Sequence, residues 1–283
     1  MLDRYVVIGN PIAHSKSPLI HARFAAQTGE PVDYDRLLAP IDGFEAAARA
    51  FIEAGGRGLN VTVPFKLAAH HFADTHSVRA QAAGAVNTLK VLDDGRVLGE
   101  NTDGVGLVND IEQNLRVSLA GKRVLLLGAG GAARGVVLPL LAAQVREVVI
   151  VNRTSSKAAA LAENLASFHG AGSGTVTGGA PEMAKGAFDV VVNATASSLG
   201  GELPSFDPEA LTPHTLAYDM MYAAQPTIFM LHAQRHGARS ADGIGMLVEQ
   251  AAESFYIWRG VRPDTAPVLA ELRAFGAAPA ARP

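Results

Sequence analysis

Short apolar runs recur along the chain, each closed by glycine or polar residues and each followed by a stretch compatible with a helix. Residues 5–8, 34–38, 58–63, 123–128, 147–151, 188–193 and 216–219 read as strands. The run 188–193 is apolar almost throughout, as expected of a parallel strand buried on both faces. Helices are predicted at 18–28, 43–54, 64 onward, 104–115, 134–143, 226–236 and 245–258. In the last of these, Met246, Leu247, Ala251, Phe255 and Trp258 recur at helical spacing and form a core-facing stripe. Asp93-Asp-Gly95 predicts a hairpin turn between 89–92 and 96–98. The Gly/Ser/Ala-rich stretch 170–179 reads as a loop flanking a short strand at 175–177. Strand and helix alternate along the chain, which places it in the α/β class.

One stretch is more specific. A strand at 123–128 runs into Gly128-Ala-Gly-Gly-Ala-Ala133, then a helix, then a second strand ending at Asn152-Arg153-Thr154. This is a βαβ unit with the spacing of the dinucleotide fingerprint G-x-G-x-x-G/A. Gly128 permits the tight turn, Gly130 lets the backbone approach a pyrophosphate, and Ala133 lets helix pack closely on strand. The N-terminus of the helix that follows would offer unpaired N–H groups and a positive dipole end to phosphates. Proteins that bind the unphosphorylated dinucleotide place Asp or Glu at the end of the second strand. Here Arg153 stands there, with Lys157 a helical turn further on. A guanidinium grips a 2′-phosphate that a carboxylate would repel, so the expected cofactor is NADP(H). The alternative is a solvated basic patch, although cations at a helix N-terminus are unfavourable unless an anion is bound.

Composition narrows the picture further. The chain has 283 residues, of which 48% are hydrophobic and 18% charged, enough to bury a substantial core in one or two domains. A net charge of −3 argues against a nucleic-acid surface. There is no cysteine, hence no disulfide framework or thiol nucleophile, and the nine histidines show no metal-ligand spacing. No signal-peptide pattern opens the chain and no apolar run reaches membrane-spanning length, so the expected setting is cytoplasmic, with no membrane partner.

Candidate chemistry lies outside the glycine loop. Ser17 followed by Pro18 forms an N-cap and N1 pair. A hydroxyl also has spare hydrogen-bonding capacity, and Ser15, with no capping duty, joins it beside a helix N-terminus suited to a carboxylate ligand. Lys66 falls in the first turn of a helix entered at Pro64, where it opposes the dipole by about 0.3–1 kcal/mol. That field favours the neutral amine, which suits a general base; the alternative is an exposed lysine. Asn101, Thr102 and Asp103 all precede a helix and are all plausible caps. Gln250 faces either a pocket or solvent.

Eight segments together resemble the shikimate dehydrogenase family: residues 11–18, 60–66, 85–88, 99–103, 128–132, 152–154, 218–222 and 242–250. The resemblance implies an N-terminal α/β substrate domain (1–105, completed by a C-terminal helix 244–283) and a Rossmann NADP-binding domain (106–243). It implies Lys66 and Asp103 as the catalytic pair. It implies Ser15, Ser17, Asn60, Thr62, Asn87, Tyr222 and Gln250 around the substrate. At the cofactor it implies the loop residues Gly128, Ala129, Gly130, Gly131 and Ala132, together with Asn152, Arg153, Thr154, Lys157, Met220 and Gly243. The implied reaction is reversible NADPH-dependent reduction of 3-dehydroshikimate to shikimate, in chorismate and aromatic amino-acid biosynthesis. No metal is called for, and the assembly expected is a monomer or homodimer. Two positions depart from the family pattern: Ala22, where Asn is usual after the histidine, and Ala196, where Ser commonly follows the threonine. Two rivals stay open, a quinate/shikimate paralogue of broader choice and a non-catalytic ligand sensor. Arg153 speaks against NAD preference in the first, and the Lys66–Asp103 pair against the second.

Overall fold

A computed structural model describes residues 2–166, 168 and 174–277. Two six-stranded sheets follow one another along the chain. The first is built from β1 (Asp3–Gly9), α1 (Ser17–Thr28), β2 (Val32–Leu38), α2 (Phe44–Glu53), β3 (Gly56–Val61), α3 (Lys66–Phe72), β4 (Thr75–His76), α4 (Val78–Ala83), β5 (Thr88–Val91) and β6 (Val97–Glu100). Its order is β2-β1-β3-β5-β6-β4, with β5 antiparallel to both neighbours. The predicted hairpin joins β5 to β6, and Gly95 (φ 85°) supplies the left-handed turn residue.

Alternation along β1 explains how this sheet is covered on both faces. Val6 and Ile8 point into a core with Phe44, Phe51 and Phe65. Tyr5 points the other way and stacks on Trp258 at 4.6 Å. Strand β4 and helix α4 have no counterpart among the predicted elements, because a two-residue strand carries no periodicity to read.

The second sheet comprises β7 (Arg123–Leu127), α6 (Gly131–Ala142), β8 (Glu147–Val151), α7 (Ser155–Ala166), β9 (Thr175–Gly179), β10 (Val190–Asn193), β11 (Leu216–Asp219), α8 (Ile228–Arg235) and β12 (Arg239–Ala241). Its order, β12-β11-β10-β7-β8-β9, is parallel throughout and matches the dinucleotide-binding arrangement 3-2-1-4-5-6. On β7, Val124 and Leu126 enter one core and Leu125 and Leu127 the other, so every position after Arg123 is apolar. Of the loop expected at 170–179, residues 170–173 lie outside those described, while β9 extends to Gly179.

Helix α5 (Asp103–Asn109) leaves the first sheet and ends in a single π-helical turn, Asp110–Asn114. It is wedged between α6 and α9 (Ile244–Arg259). A Cβ on Gly104 would lie 2.4 Å from the Gly135 carbonyl of α6, and one on Gly106 2.8 Å from Gln250 of α9. Helix α9 begins with Met246 in the core of the second sheet and continues with Val248, Ala251 and Phe255 in a core shared with α1. The C-terminal segment expected as one helix is two, α9 and α10 (Ala266–Ala277). Gly260 (φ 73°) ends α9 in a left-handed cap, and Pro263 cannot extend it; residues 278–283 lie outside those described.

Candidate active site

The carboxyl ends of β1 and β3 and the face of α9 enclose a cleft of about 290 Å³. Ser15, Ser17, Asn60, Thr62, Lys66, Asn87, Tyr222 and Gln250 all line it. They come from points as far apart as the start of α1 and the middle of α9. Asp103 lies just behind, 2% exposed, with Oδ2 accepting from Lys66 Nζ at 2.5 Å. Its Oδ1 accepts from Asn87 Nδ2 at 2.9 Å. Helix α3 begins at Lys66, two residues later than expected, so the lysine is the first helical residue. Asp103 likewise opens α5. The capping reading fails for Thr102 and Asp103: no side chain caps α5 at Thr102, and the Asp103 carboxylate is spent on Lys66 and Asn87. Asn101 does satisfy a free donor at the start of α5, accepting from the Asp103 N–H, and it donates to the Ala85 carbonyl.

Ser17 is not the cap of α1 either. The cap position is Lys16, without a side-chain bond, and Ser17 is the first helical residue. Ser15 has the local duty instead: its hydroxyl accepts the Ser17 N–H at 3.3 Å and donates to Ser17 Oγ at 3.2 Å. Backbone conformation decides this, because a capping hydroxyl must sit on a residue outside the helix. Arg36 anchors the same loop through the Ser15 carbonyl, at 2.6 Å from Nη2.

Beneath the cleft runs a buried polar network. Asn87 Oδ1 accepts from the Thr102 N–H and from the Thr88 hydroxyl, both at 2.9 Å. The backbone donor fixes the amide, so its NH₂ group faces Asp103 and Gln250. Asn60 donates to Ser254 and Thr88 and accepts from the Tyr34 hydroxyl at 2.7 Å. Burial pushes the Tyr34 and Tyr222 phenols above their ordinary range, so both remain protonated donors. His21 stacks on Tyr34 at 4.1 Å, fully buried. Tyr34 and Ser254 were not singled out in the sequence. Tyr34 looks like an ordinary strand aromatic, whereas Ser254 carried a signal: a hydroxyl four residues after Gln250, on the same helix face.

The residues expected at the cofactor gather at the carboxyl ends of the second sheet. Gly128 has φ +109°, and a Cβ there would lie 2.9 Å from Thr195 Cγ2. Ala129 is also expected among the cofactor contacts. It is 5% exposed, and its methyl group packs into the core between sheet and helix with Ala133 and Val136. Burial of that methyl helps to close the core under the turn. At Gly130 and Gly131 an added Cβ meets nothing within 4 Å, leaving an open face above the first turn of α6. Ala132 is half-buried against the same core as Ala129. No acidic residue and no capping side chain occupies that turn. Its N–H groups and positive dipole end fit a pyrophosphate. Asn152 donates to the Thr154 carbonyl and shapes the turn after β8, where Arg153, Thr154 and Lys157 are exposed. Gly243 is pressed against Met220, whose carbonyl a Cβ would approach to 2.2 Å.

A parallel sheet in dinucleotide-binding order, joined to a second sheet whose cleft holds an ammonium–carboxylate pair, is the framework of a two-domain dinucleotide-dependent dehydrogenase. Family models match on three segments: "Shikimate dehydrogenase substrate binding domain" over residues 7–89, "Shikimate / quinate 5-dehydrogenase" over 110–199, and "Shikimate 5'-dehydrogenase C-terminal domain" over 243–273. The chain is 60% identical to the shikimate dehydrogenase (NADP(+)) of Herminiimonas arsenicoxydans, across 97% of its own length and 98% of the relative's. Among solved structures it is similar to the Ael1 enzyme of Pseudomonas putida (49% identity, TM-score 0.88, 95% and 98% of the two chains). It is also similar to the shikimate 5-dehydrogenase of Thermus thermophilus in complex with NADP(H) and shikimate (32% identity, TM-score 0.83, 97% and 99%). The chain belongs to the shikimate dehydrogenase family. Among the described residues, no helix is long and apolar enough to cross a membrane.

Proposed function

We propose that this chain catalyses the reversible NADPH-dependent reduction of 3-dehydroshikimate to shikimate. The observation that carries the reading is the Lys66–Asp103 contact at the edge of a cleft lined by every other residue expected around the substrate. Bound NADPH supplies the hydride. As hydride reaches the ketone carbon, charge develops on its oxygen, and Lys66 donates a proton there; in the oxidation direction it takes the proton back. Asp103 orients the ammonium and, through Asn87, ties it to the cleft. Ser15 and Ser17 donate to the substrate carboxylate at the opposite end of the cleft, with Asn60, Thr62, Tyr222 and Gln250 on the ring hydroxyls. The first sheet, with α9 and α10, serves as the substrate half.

In the other half, the turn Gly128-Ala129-Gly130-Gly131-Ala132 holds the pyrophosphate through its backbone, with Met220 and Gly243 also in contact with the cofactor. Arg153 and Lys157 hold the 2′-phosphate, supported by the basic side chains where an NAD binder has a carboxylate. The family's named activity and the retained Lys66–Asp103 pair favour this reading over a broader quinate enzyme or a silent sensor. Initial rates of shikimate and quinate oxidation with NADP and with NAD, side by side, test it. Turnover of shikimate with NADP, and far slower use of quinate or NAD, is the expected result; no turnover of shikimate overturns the reading.

A further inference from the structure

The peptide after β11 serves both halves of the site. Met220 faces the second sheet's core and Gly243, whereas Tyr222, two residues later, lines the substrate cleft and packs on the α1–α9 core. Something must hold so short a segment in register between two ligands. Its backbone is pinned at both ends: the Met220 N–H donates to the Asn193 carbonyl at 3.0 Å, and the Met221 carbonyl accepts from the Gly243 N–H at 3.1 Å.

Immediately before these pins sits Asp219, the last residue of β11, with no solvent exposure. Its Oδ1 accepts from the Met221 N–H at 3.0 Å and from Asn193 Nδ2 at 3.1 Å. Its Oδ2 accepts from the Thr227 hydroxyl at 2.6 Å. All three partners are neutral, so the carboxylate works as a three-way acceptor rather than as one half of an ion pair. Asn193 extends the tie to the loop after β10, where its Oδ1 accepts from the Thr195 N–H and hydroxyl. Thr227 extends it to α8, which it caps at Met230. A buried carboxylate is costly to keep in an apolar sheet end, and a strand-terminal Asp with no catalytic contact is not needed for packing.

We propose that Asp219 is a positioning residue: it bends the chain after β11 so that Met220 meets the cofactor and Tyr222 meets the substrate in a single fixed geometry. This rests on the reading of the cleft as a shikimate site. Asp219 touches neither ligand and acts through Tyr222 and Met220. The carboxylate shape matters and its charge does not. An Asn side chain can keep Oδ1 on Met221 and turn its NH₂ group to Thr227, which can accept.

The test is a double-mutant cycle with steady-state kinetics. Asp219→Ala should raise KM for shikimate roughly tenfold and lower kcat by a similar factor, the scale of a small misplacement at a reacting centre. Asp219→Asn should restore both to within roughly threefold of the parent chain, since the geometry is kept. In a Tyr222→Phe background, Asp219→Ala should raise KM for shikimate much less than it does in the parent chain, because residues acting through one another are non-additive. Thr227→Val, which removes one of the three donors, is the variant to use if Asp219→Ala does not fold; its effect on KM should also shrink beside Tyr222→Phe. Equal effects on KM with and without Tyr222 would overturn the proposal, as would an Asp219→Asn enzyme as impaired as the alanine variant. Failure of the parent chain to oxidise shikimate would instead remove the functional reading on which the inference stands.

Discussion

The Lys66 ammonium and the Asp103 carboxylate meet at 2.5 Å although they open two different helices, α3 and α5. Asp103 is the fixed member, since its second oxygen is held by Asn87 and the residue is almost wholly buried. Lys66 keeps 20% of its side chain exposed, on the cleft side, where a substrate oxygen can reach it. Lys66→Ala should therefore lower kcat by about 10²–10⁴ while NADP binding stays near normal. Asp103→Asn should also lower kcat, and the double variant should be far less impaired than the product of the single effects. A folded, NADP-binding Lys66→Ala enzyme with near-parental turnover would return the lysine to the solvated surface.

Cofactor choice is expected to rest on Arg153. It follows β8 directly and is exposed beside the open face over α6. Arg153→Ala should weaken NADP binding by roughly 1.5–3 kcal/mol, the scale of a hydrogen bond to a charged group, and barely alter NAD binding. Calorimetric or fluorescence titration with each cofactor checks this, and parallel losses for both would mean that Arg153 does not read the 2′-phosphate.

Because Ser17 does not cap α1, its removal tests substrate contact without uncapping the helix, although the Ser15 hydroxyl loses its acceptor. Ser17→Ala should raise KM for shikimate with little change in kcat, and should leave thermal stability free of the ~1 kcal/mol that a lost cap costs. Ser15→Ala should raise KM as well, and it also strips the acceptor from the Ser17 N–H. Unchanged KM in both variants would take the pair out of the carboxylate site.

His21 gives the fold a predictable acid sensitivity. Burial lowers its pKa from 6.5 to about 3, with the nearby Asn60 side chain offsetting the shift only in part. Both ring nitrogens lack a hydrogen-bond partner among the described residues. Between these two pKa values the unfolded chain takes up a proton that the folded chain refuses. The contribution of a neutral, buried His21 is therefore complete above pH 6.5 and is lost as pH falls toward about 3. At about 1.36 kcal/mol per pH unit, going from pH 7 to pH 5 should cost roughly 2 kcal/mol through this residue. His21→Phe, which keeps the stack on Tyr34, should lose less stability over the same interval. Urea unfolding of both proteins at the two pH values measures the difference, and identical losses would count against the assignment.

The extent of what the chain announces by itself follows from how local each feature is. Strand 147–151, the turn at Gly128 and the helix that follows are all encoded within a few residues: an apolar run, a glycine free to take φ +109°, a small Ala133. Which way each loop residue faces was not encoded there, and Ala129 turns its methyl inward only because α6 closes over the sheet. Arg153 could be read from the chain alone, because its place at a strand end is itself a matter of sequence spacing. Lys66 was legible only as far as the first turn of a helix, with an exposed lysine as an equal reading. What resolved it was Asp103, 37 residues away, and no periodicity links the two. The same holds for Ser17 and Asp103 as caps. Their residue types favour capping, but one residue of difference in where the helix begins gave the hydroxyl and the carboxylate other partners. Tyr34 and Asp219 were silent, and Ser254 was marked only by its helical spacing from Gln250, for a related reason. Each is an ordinary residue for its strand or helix, and each acquires its role only when β2, α9 or β11 is brought against a distant segment. Local propensity thus decided which elements form, while packing of Gly104 on α6 and of Gly106 on α9 decided that Asp103 and Gln250 would converge on Asn87, because a close helix crossing leaves room for one arrangement only.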